Sequence, residues 1–424
     1  VKDAAVRPDP GSDGSSGRGS GLFYGYVIAI LTFCIFLVAY GIRFSYGVFF
    51  QPMSNELGWS SATTSLIYSI SMLMEGIFNI ILGRMIDRYG PRLIATFSGC
   101  LVALGYGLMP TVHSTWQFFL LYAGVVGIGM GGLFGPLVTI IPRWFTARRN
   151  LVNGLVISSV GIGILIASPL ANQLIKVLDW RTTFLAFGLA IFLVVTVCAQ
   201  FLKRDPYSLG LLPYGETADR RGEGKNPVAG FSLSQAARTY QFWFIFLLFF
   251  AYGFAANAVS IHIVPDAIDK GISAALAATI LATIGGLQIA GRIGLGLAAD
   301  RLGERRIATG GFALFALLTF LLPAISHQAA FFIFAAFFGL TQGGLAVSQS
   351  PLVARYFGVR SLGLLFGFCG FGFTLGAAAG PYITGKVFDL AGNYGTAFLA
   401  VALVSVAGFF AGLFLKPLQN KGQA

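Results

Sequence analysis

The amino-acid sequence predicts an all-α membrane protein with twelve transmembrane helices in two pseudo-symmetric six-helix bundles. Three observations lead there. Of 424 residues, 56% are hydrophobic and only 10% charged, with a mean hydropathy of +0.78. A soluble domain carries about 25% charged residues, so this chain has too few to coat a water-facing surface. Apolar runs near the ~20 residues that a spanning helix needs follow one another along the chain. Short patterns from the first half also return in the second.

The spans follow from the apolar runs and the charged or turn-rich breaks between them. Residues 1–21, rich in Gly, Ser, Asp and Arg, read as a disordered leader. The N-terminal bundle is assigned to 22–202. Its spans are expected at 23–47, 61–85, 92–110, 115–142, 151–175 and 181–201. The breaks between them hold Glu56, then Arg84, Arg88 and Arg92, then His113, then Arg143, Arg148 and Arg149, then Lys176, Asp179 and Arg181. A polar linker follows at 203–238, with Asp205-Pro206, Arg220, Arg221 and Lys225. The C-terminal bundle, 239–416, has expected spans at 239–264, 275–298, 306–325, 329–353, 361–386 and 395–416, before a tail at 417–424. Its breaks carry Asp266, Asp269 and Lys270, then Arg301, Arg305 and Arg306, then His327, then Arg355 and Arg360, then Lys386 and Asp389.

Basic residues crowd into alternate breaks. That bias marks those loops as cytoplasmic and, with an even number of spans, puts both termini there. A multi-pass protein of the cell's inner or plasma membrane is expected. The formal charge of +12 therefore reads as membrane orientation, and no nucleic-acid partner is expected. Cys34, Cys100, Cys198 and Cys369 each lie in an apolar run and read as packing residues. The 56 Gly suit helices that must approach closely in lipid.

The repeat has an offset near 212 residues. Gly83-Arg-Met-Ile-Asp87-Arg88-Tyr-Gly90-Pro-Arg92 returns as Gly296-Leu-Ala-Ala-Asp300-Arg301-Leu-Gly303-Glu-Arg305. Gly131-Gly132 with Pro136-Leu-Val returns as Gly343-Gly344 with Pro351-Leu-Val, and Arg143-Trp-Phe as Arg355-Tyr-Phe. Lys176-Val-Leu-Asp179 returns as Lys386-Val-Phe-Asp389. Two equivalent bundles can rock against each other and expose a site between them to either side in turn. The doubled Gly-x-x-x-Asp-Arg-x-Gly-x-Arg pattern resembles the signature of the major facilitator superfamily, over residues 22–416. The resemblance implies the major facilitator fold. It also implies a gating cluster at Asp87, Arg88, Arg92, Asp300 and Arg301, where a carboxylate near a helix N-terminus is favoured by the dipole and by charged hydrogen bonds.

Substrate candidates are polar groups at membrane depth, where charge is costly and normally faces a cavity or a partner. Arg292 lies two turns before Asp300, roughly 12 Å along the helix. Its guanidinium is a planar fork matched to a carboxylate; the competing reading is a structural ion pair. Gln288 extends that face. Asn257, Tyr122, Tyr252 and Cys369 are further lining candidates, with helix–helix hydrogen bonding as the competing role. Glu75, His262 and Asp266, with the neighbouring Arg43, are candidates for carrying a proton, and Glu75 reads equally as a packing residue. The segment Ala290-Gly-Arg292-Ile-Gly-Leu-Gly resembles monocarboxylate porters and the related oxalate–formate antiporters, where an Arg in this position binds substrate carboxylate. Phe23-Tyr-Gly-Tyr-Val and Asp179-Trp180-Arg181 point to the same branch. Two departures stand out: no Lys lies in 362–381, and Phe44 and Gln288 stand where animal monocarboxylate carriers place a Lys and an Asp.

The expectation is a secondary transporter of a small monocarboxylate, lactate- or pyruvate-like, with a co-transported proton and the lipid bilayer as its surroundings. No P-loop, metal cluster or catalytic triad is evident, so neither an enzyme nor a cofactor is expected. No obligatory protein partner is evident. The alternatives are an organic-anion antiporter of the oxalate–formate kind and a transporter-like ligand sensor.

Overall fold

Twelve long apolar helices form the chain, in a computed structural model that describes residues 23–58, 61–216 and 230–416. They are α1 (Tyr24–Phe49), α2 (Leu66–Tyr89), α3 (Pro91–Thr111), α4 (Thr115–Trp144), α5 (Arg149–Val177) and α6 (Trp180–Gln200), then α7 (Tyr240–Asp269), α8 (Leu276–Leu302), α9 (Glu304–Ala324), α10 (Gln328–Phe357), α11 (Leu362–Ala391) and α12 (Tyr394–Phe414). All are long and apolar enough to cross a membrane. Large apolar side chains such as Phe192, Leu193, Phe320 and Leu403 stay exposed. In water such a surface would associate; in lipid it is the solvent-facing side. The expected leader 1–21, the linker positions Arg220, Arg221 and Lys225, and the tail 417–424 lie outside the described residues.

The motif carboxylates lie further inside their helices than the expected spans allowed. Asp87 is in the last turn of α2, and Asp300 is in α8, which runs to Leu302. The breaks come at Gly90 (φ 84°) and Gly303 (φ 89°). Positive φ there suits glycine and strains other residues.

Pairing within the halves follows the repeat. In the first half α1 packs on α5, α2 on α4 and α3 on α6; in the second α7 packs on α11, α8 on α10 and α9 on α12. Across the halves α2 packs on α11 and α5 on α8. Glycines permit these crossings. A Cβ on Gly83 would lie 2.3 Å from the Gly363 carbonyl oxygen, and one on Gly363 would lie 2.3 Å from that of Gly83. A Cβ on Gly154 would lie 2.3 Å from the Arg292 carbonyl oxygen, and one on Gly367 would lie 2.7 Å from that of Asn79. With no hydrophobic force between helices in lipid, such backbone approach is what van der Waals packing requires.

One pair of helices breaks the symmetry. α10 is a single helix from Gln328 to Phe357. Its counterpart α4 is π-helical over Phe119–Val126 and interrupted around Gly132–Leu133 and Thr139–Ile140. Gly127, Gly129, Gly131, Gly132 and Gly135 fall in this stretch, and each lowers helix propensity by about 1 kcal/mol relative to Ala.

The linker is tied to each half at equivalent places. The Tyr214 amide donates to the Trp144 carbonyl at 2.9 Å, and the Phe231 amide donates to the Phe357 carbonyl at 2.8 Å. On the other face, Glu56 fastens α6 to the α1–α2 connection. Its carboxylate accepts from Trp180 Nε1 and, at 2.8 Å, from Arg181 Nη2, which holds it below the usual carboxylate range.

Two outcomes follow. Gly83→Leu forces α2 from α11 at a cost of about 1–3 kcal/mol, so a single cysteine placed near Gly363 on the basic face will be labelled faster by a thiol reagent. The Glu56 bridge contributes stability that is full above the ordinary Glu value of about 4.3 and is lost as pH falls through the lower folded value. Melting curves of the wild type and Glu56→Ala will therefore differ modestly at neutral pH and converge once the pH has fallen below that folded value.

Candidate functional site

On the basic face each half holds the other by the same device. Asp87 accepts the Gly363 amide at 3.1 Å and the Leu364 amide at 3.0 Å, at the N-terminus of α11. Asp300 accepts the amides of Asn150 at 2.9 Å and Leu151 at 3.0 Å, at the N-terminus of α5. The first amides of a helix have no intrahelical acceptor, and the dipole there favours an anion. Both carboxylates thus cap a helix of the opposite half.

The two latches differ in their ion pairs. Arg143 pairs with Asp87 inside the first half. The repeat counterpart of Arg143 is Arg355, which pairs instead with Glu304 at 2.8 Å. Glu304 also takes Arg149 of the first half, at 2.9 and 2.6 Å, and Asn150 Nδ2 at 3.2 Å. Only 3% of the Glu304 side chain is exposed. The α5–α8 crossing therefore carries an ion pair between the halves beside its cap. Arg88 lies over the Tyr89 ring, Arg92 donates to Gln200 and Arg301 is exposed; among the described residues none of these three motif arginines bonds to the other half. Arg149, Asn150 and Glu304 were missed from sequence, where nothing tied residues 155 positions apart.

Further in, the Asn153 side-chain Nδ2 donates to the Val347 carbonyl across the halves at 2.9 Å. Arg292 is the innermost of these links. Its Nη1 donates to the Ile157 carbonyl on α5 at 2.9 Å, while Nε has no partner, and the residue is 8% exposed. Among the described residues no carboxylate pairs with it. The Tyr252 hydroxyl sits beside it and near Gln288, and donates to the Gln342 carbonyl at 3.2 Å. The structure thus gathers three sequence candidates, Arg292, Gln288 and Tyr252, on α7 and α8.

A second buried arginine occupies the first half. Arg43 is fully buried; Nη2 lies 3.0 Å from Glu75 Oε2 and 3.1 Å from Ser71 Oγ. Its guanidinium lies over the rings of Tyr68 and Tyr122, 5.7 and 5.9 Å from their centroids, a cation–π arrangement. The Tyr40 hydroxyl donates to Glu75 Oε1 at 2.9 Å.

The remaining candidates are dispersed. Tyr122 is fully buried in this first-half cluster, stacked on Phe118 and near Tyr46, away from the Arg292 group. Asn257 donates to the Gly253 carbonyl on its own helix at 2.9 Å. His262 is bonded to the Pro381 carbonyl at 3.0 Å. Asp266 pairs with Lys270 at 3.0 Å, and Lys270 also donates to the Leu322 carbonyl. Cys369 is buried in α11.

Known proteins place this geometry. The chain matches the family model of the Major Facilitator Superfamily over residues 31–297 and 263–424. It is 26% identical to the oxalate:formate antiporter of Oxalobacter formigenes over 418 residues, covering 97% of this chain and 96% of that protein. It is 24% identical to human monocarboxylate transporter 11, covering 96% and 84%. Among solved structures, FucP, a major facilitator transporter caught in an outward conformation, superposes with a TM-score of 0.71. That match has 18% identity and covers 93% of this chain and all of that one.

The latch predicts a specific lesion. Asp300→Asn turns one acceptor oxygen into a donor facing helix amides. Hydrogen bonds to a charged group contribute about 1.5–3 kcal/mol, so the basic-face-open population should rise about tenfold or more. The rate at which a thiol reagent labels a cysteine between α5 and α8 on that face measures it.

Proposed function

The chain belongs to the major facilitator superfamily, and we propose that it is a secondary active transporter of small monocarboxylates, lactate- or pyruvate-like, that moves its anion with a proton by alternating access. In this reading the basic face is cytoplasmic, as the loop charges suggest, and the latches at Asp87 and Asp300 are its gate. The face away from the latches admits substrate.

Arg292 carries the reading. A buried guanidinium that pairs with no carboxylate among the described residues and has an idle Nε is costly in a low-dielectric interior. A carboxylate ligand offsets that cost and can take two parallel N–H bonds. Tyr252 and Gln288 stand where they can orient the ligand's second polar group, a hydroxyl or carbonyl. A single such cation suits a monoanion. The full-length relatives support organic anions as the substrate class: one is an oxalate:formate antiporter and another a monocarboxylate transporter.

The first of those relatives favours a second reading, exchange of organic anions without a proton. Proteoliposomes separate the two. Labelled lactate should accumulate faster with an inwardly directed acid gradient under symport. Under pure exchange, uptake ignores the gradient and requires an anion inside. Either way, Arg292→Gln should abolish carboxylate uptake, and Arg292→Lys should lower it by about tenfold or more, since an ammonium lacks the bidentate fork. Uptake that survives Arg292→Gln would remove the receptor assignment.

A further inference from the structure

The Arg43–Glu75 pair is not needed for the latches or for the Arg292 site, yet it places an ion pair at membrane depth, where charges are normally functional. We propose that Glu75 carries the co-transported proton, and that Arg43 makes proton uptake depend on the substrate's negative charge. This rests on the monocarboxylate reading for its substrate and on the geometry below for its residues.

Three observations carry it. First, the two partners differ in access: 19% of the Glu75 side chain is exposed against 1% of Arg43. Glu75 keeps an accessible edge, and Arg43 stays sealed behind it. Second, Arg43 already has two idle nitrogens, Nε and Nη1. If Glu75 takes a proton, Arg43 loses its one counter-charge, and an unpaired buried cation is strongly unfavourable. Protonation of Glu75 is therefore favoured when another anion has entered the space between the halves. By linkage, a bound anion favours the proton as much as the proton favours the anion. Third, the charge state has a mechanical outlet. The Tyr40 hydroxyl is shared between Glu75 Oε1 at 2.9 Å and the Met130 carbonyl at 3.3 Å. Met130 lies at the interruption of α4, where its carbonyl also accepts the Leu133 amide at 3.0 Å. Neutralising Glu75 weakens the first bond of Tyr40 and shifts it toward α4, the helix that is broken only in this half.

The groups around the Arg43–Glu75 pair are Tyr40 from α1, Tyr68 and Ser71 from α2 itself, Tyr106 from α3, and Tyr122 with the Gly131 backbone from α4. Thr374 of α11 packs on the adjacent Gly76. None of these is an acid or a histidine that would compete for the proton. His262 and Asp266 bond within the second half, to Pro381 and to Lys270. The step is a simple transfer: a proton from the outer solution joins a Glu75 oxygen, crosses with the substrate anion and leaves on the basic side.

Infrared difference titration of the purified protein, with labelled lactate uptake in proteoliposomes, tests this. The wild type should show a protonated-carboxyl band that appears at higher pH when lactate is added. In Glu75→Gln that band should vanish, and uptake should lose its acceleration by an acid gradient while lactate–lactate exchange persists. Tyr40→Phe removes the hydroxyl that joins the carboxylate to α4, and should blunt the acceleration of uptake by an acid gradient. A titrating Glu75 band with no transport of any monocarboxylate removes the substrate reading and leaves the proton-carrier assignment standing. Full gradient acceleration in Glu75→Gln, or an unchanged band in that variant, overturns the assignment.

Discussion

Asp87 and Asp300 each accept the first amides of a helix in the opposite half, and the closed basic face depends on those two caps. A spanning helix satisfies its own backbone except at its ends. The ends of α5 and α11 lie where the two bundles meet, so their free amides need acceptors that the partner bundle can supply. A carboxylate does this with charge as well as geometry. The backbone crossings at Gly83–Gly363 and Gly154–Arg292 then follow, because the caps hold the helices close enough for carbonyl oxygens to touch glycine. Parting the bundles on this face must also break the Arg149–Glu304 pair and the bonds of Asn153 and Arg292 across the halves.

Departures from the repeat mark where the halves do different work. Glu304 ties α9, α5 and α10 together through Arg149 and Arg355, and the α2–α11 crossing has no such ion pair among the described residues. The core shows the same contrast. In the first half a buried arginine is answered by a carboxylate, Arg43 by Glu75. In the second half Arg292 has only a carbonyl oxygen and an idle nitrogen. Among the described residues the buried guanidinium without a carboxylate is therefore Arg292, the residue proposed to receive the anion.

Hydropathy made the twelve spans legible, because a helix that faces lipid has few other ways to be written. The paired aspartates were legible too, since a doubled motif at a fixed offset survives in the primary sequence. The break in α4 was not. Gly131-Gly132 and Gly343-Gly344 look alike, and only the denser glycine run from Gly127 to Gly135 separates a broken helix from a whole one. Side-chain direction was the weakest inference. In helices apolar all round, polar residues mark no face, so sequence leaves Tyr122 and Asn257 open between lining a cavity and bonding between helices. The structure puts Tyr122 in an aromatic cluster and turns Asn257 to its own helix. Long-range pairs such as Arg149–Glu304 left no local signal at all.

A monoanion is proposed to bind at Arg292 because, among the described residues, that guanidinium has no counter-charge. Calorimetric titration of the purified protein with lactate, pyruvate and the neutral amide lactamide tests it most directly. Heat is expected from both anions and none from lactamide, and the anion signal should be lost in Arg292→Gln. Equal binding of lactamide, or anion binding unchanged in Arg292→Gln, would contradict it.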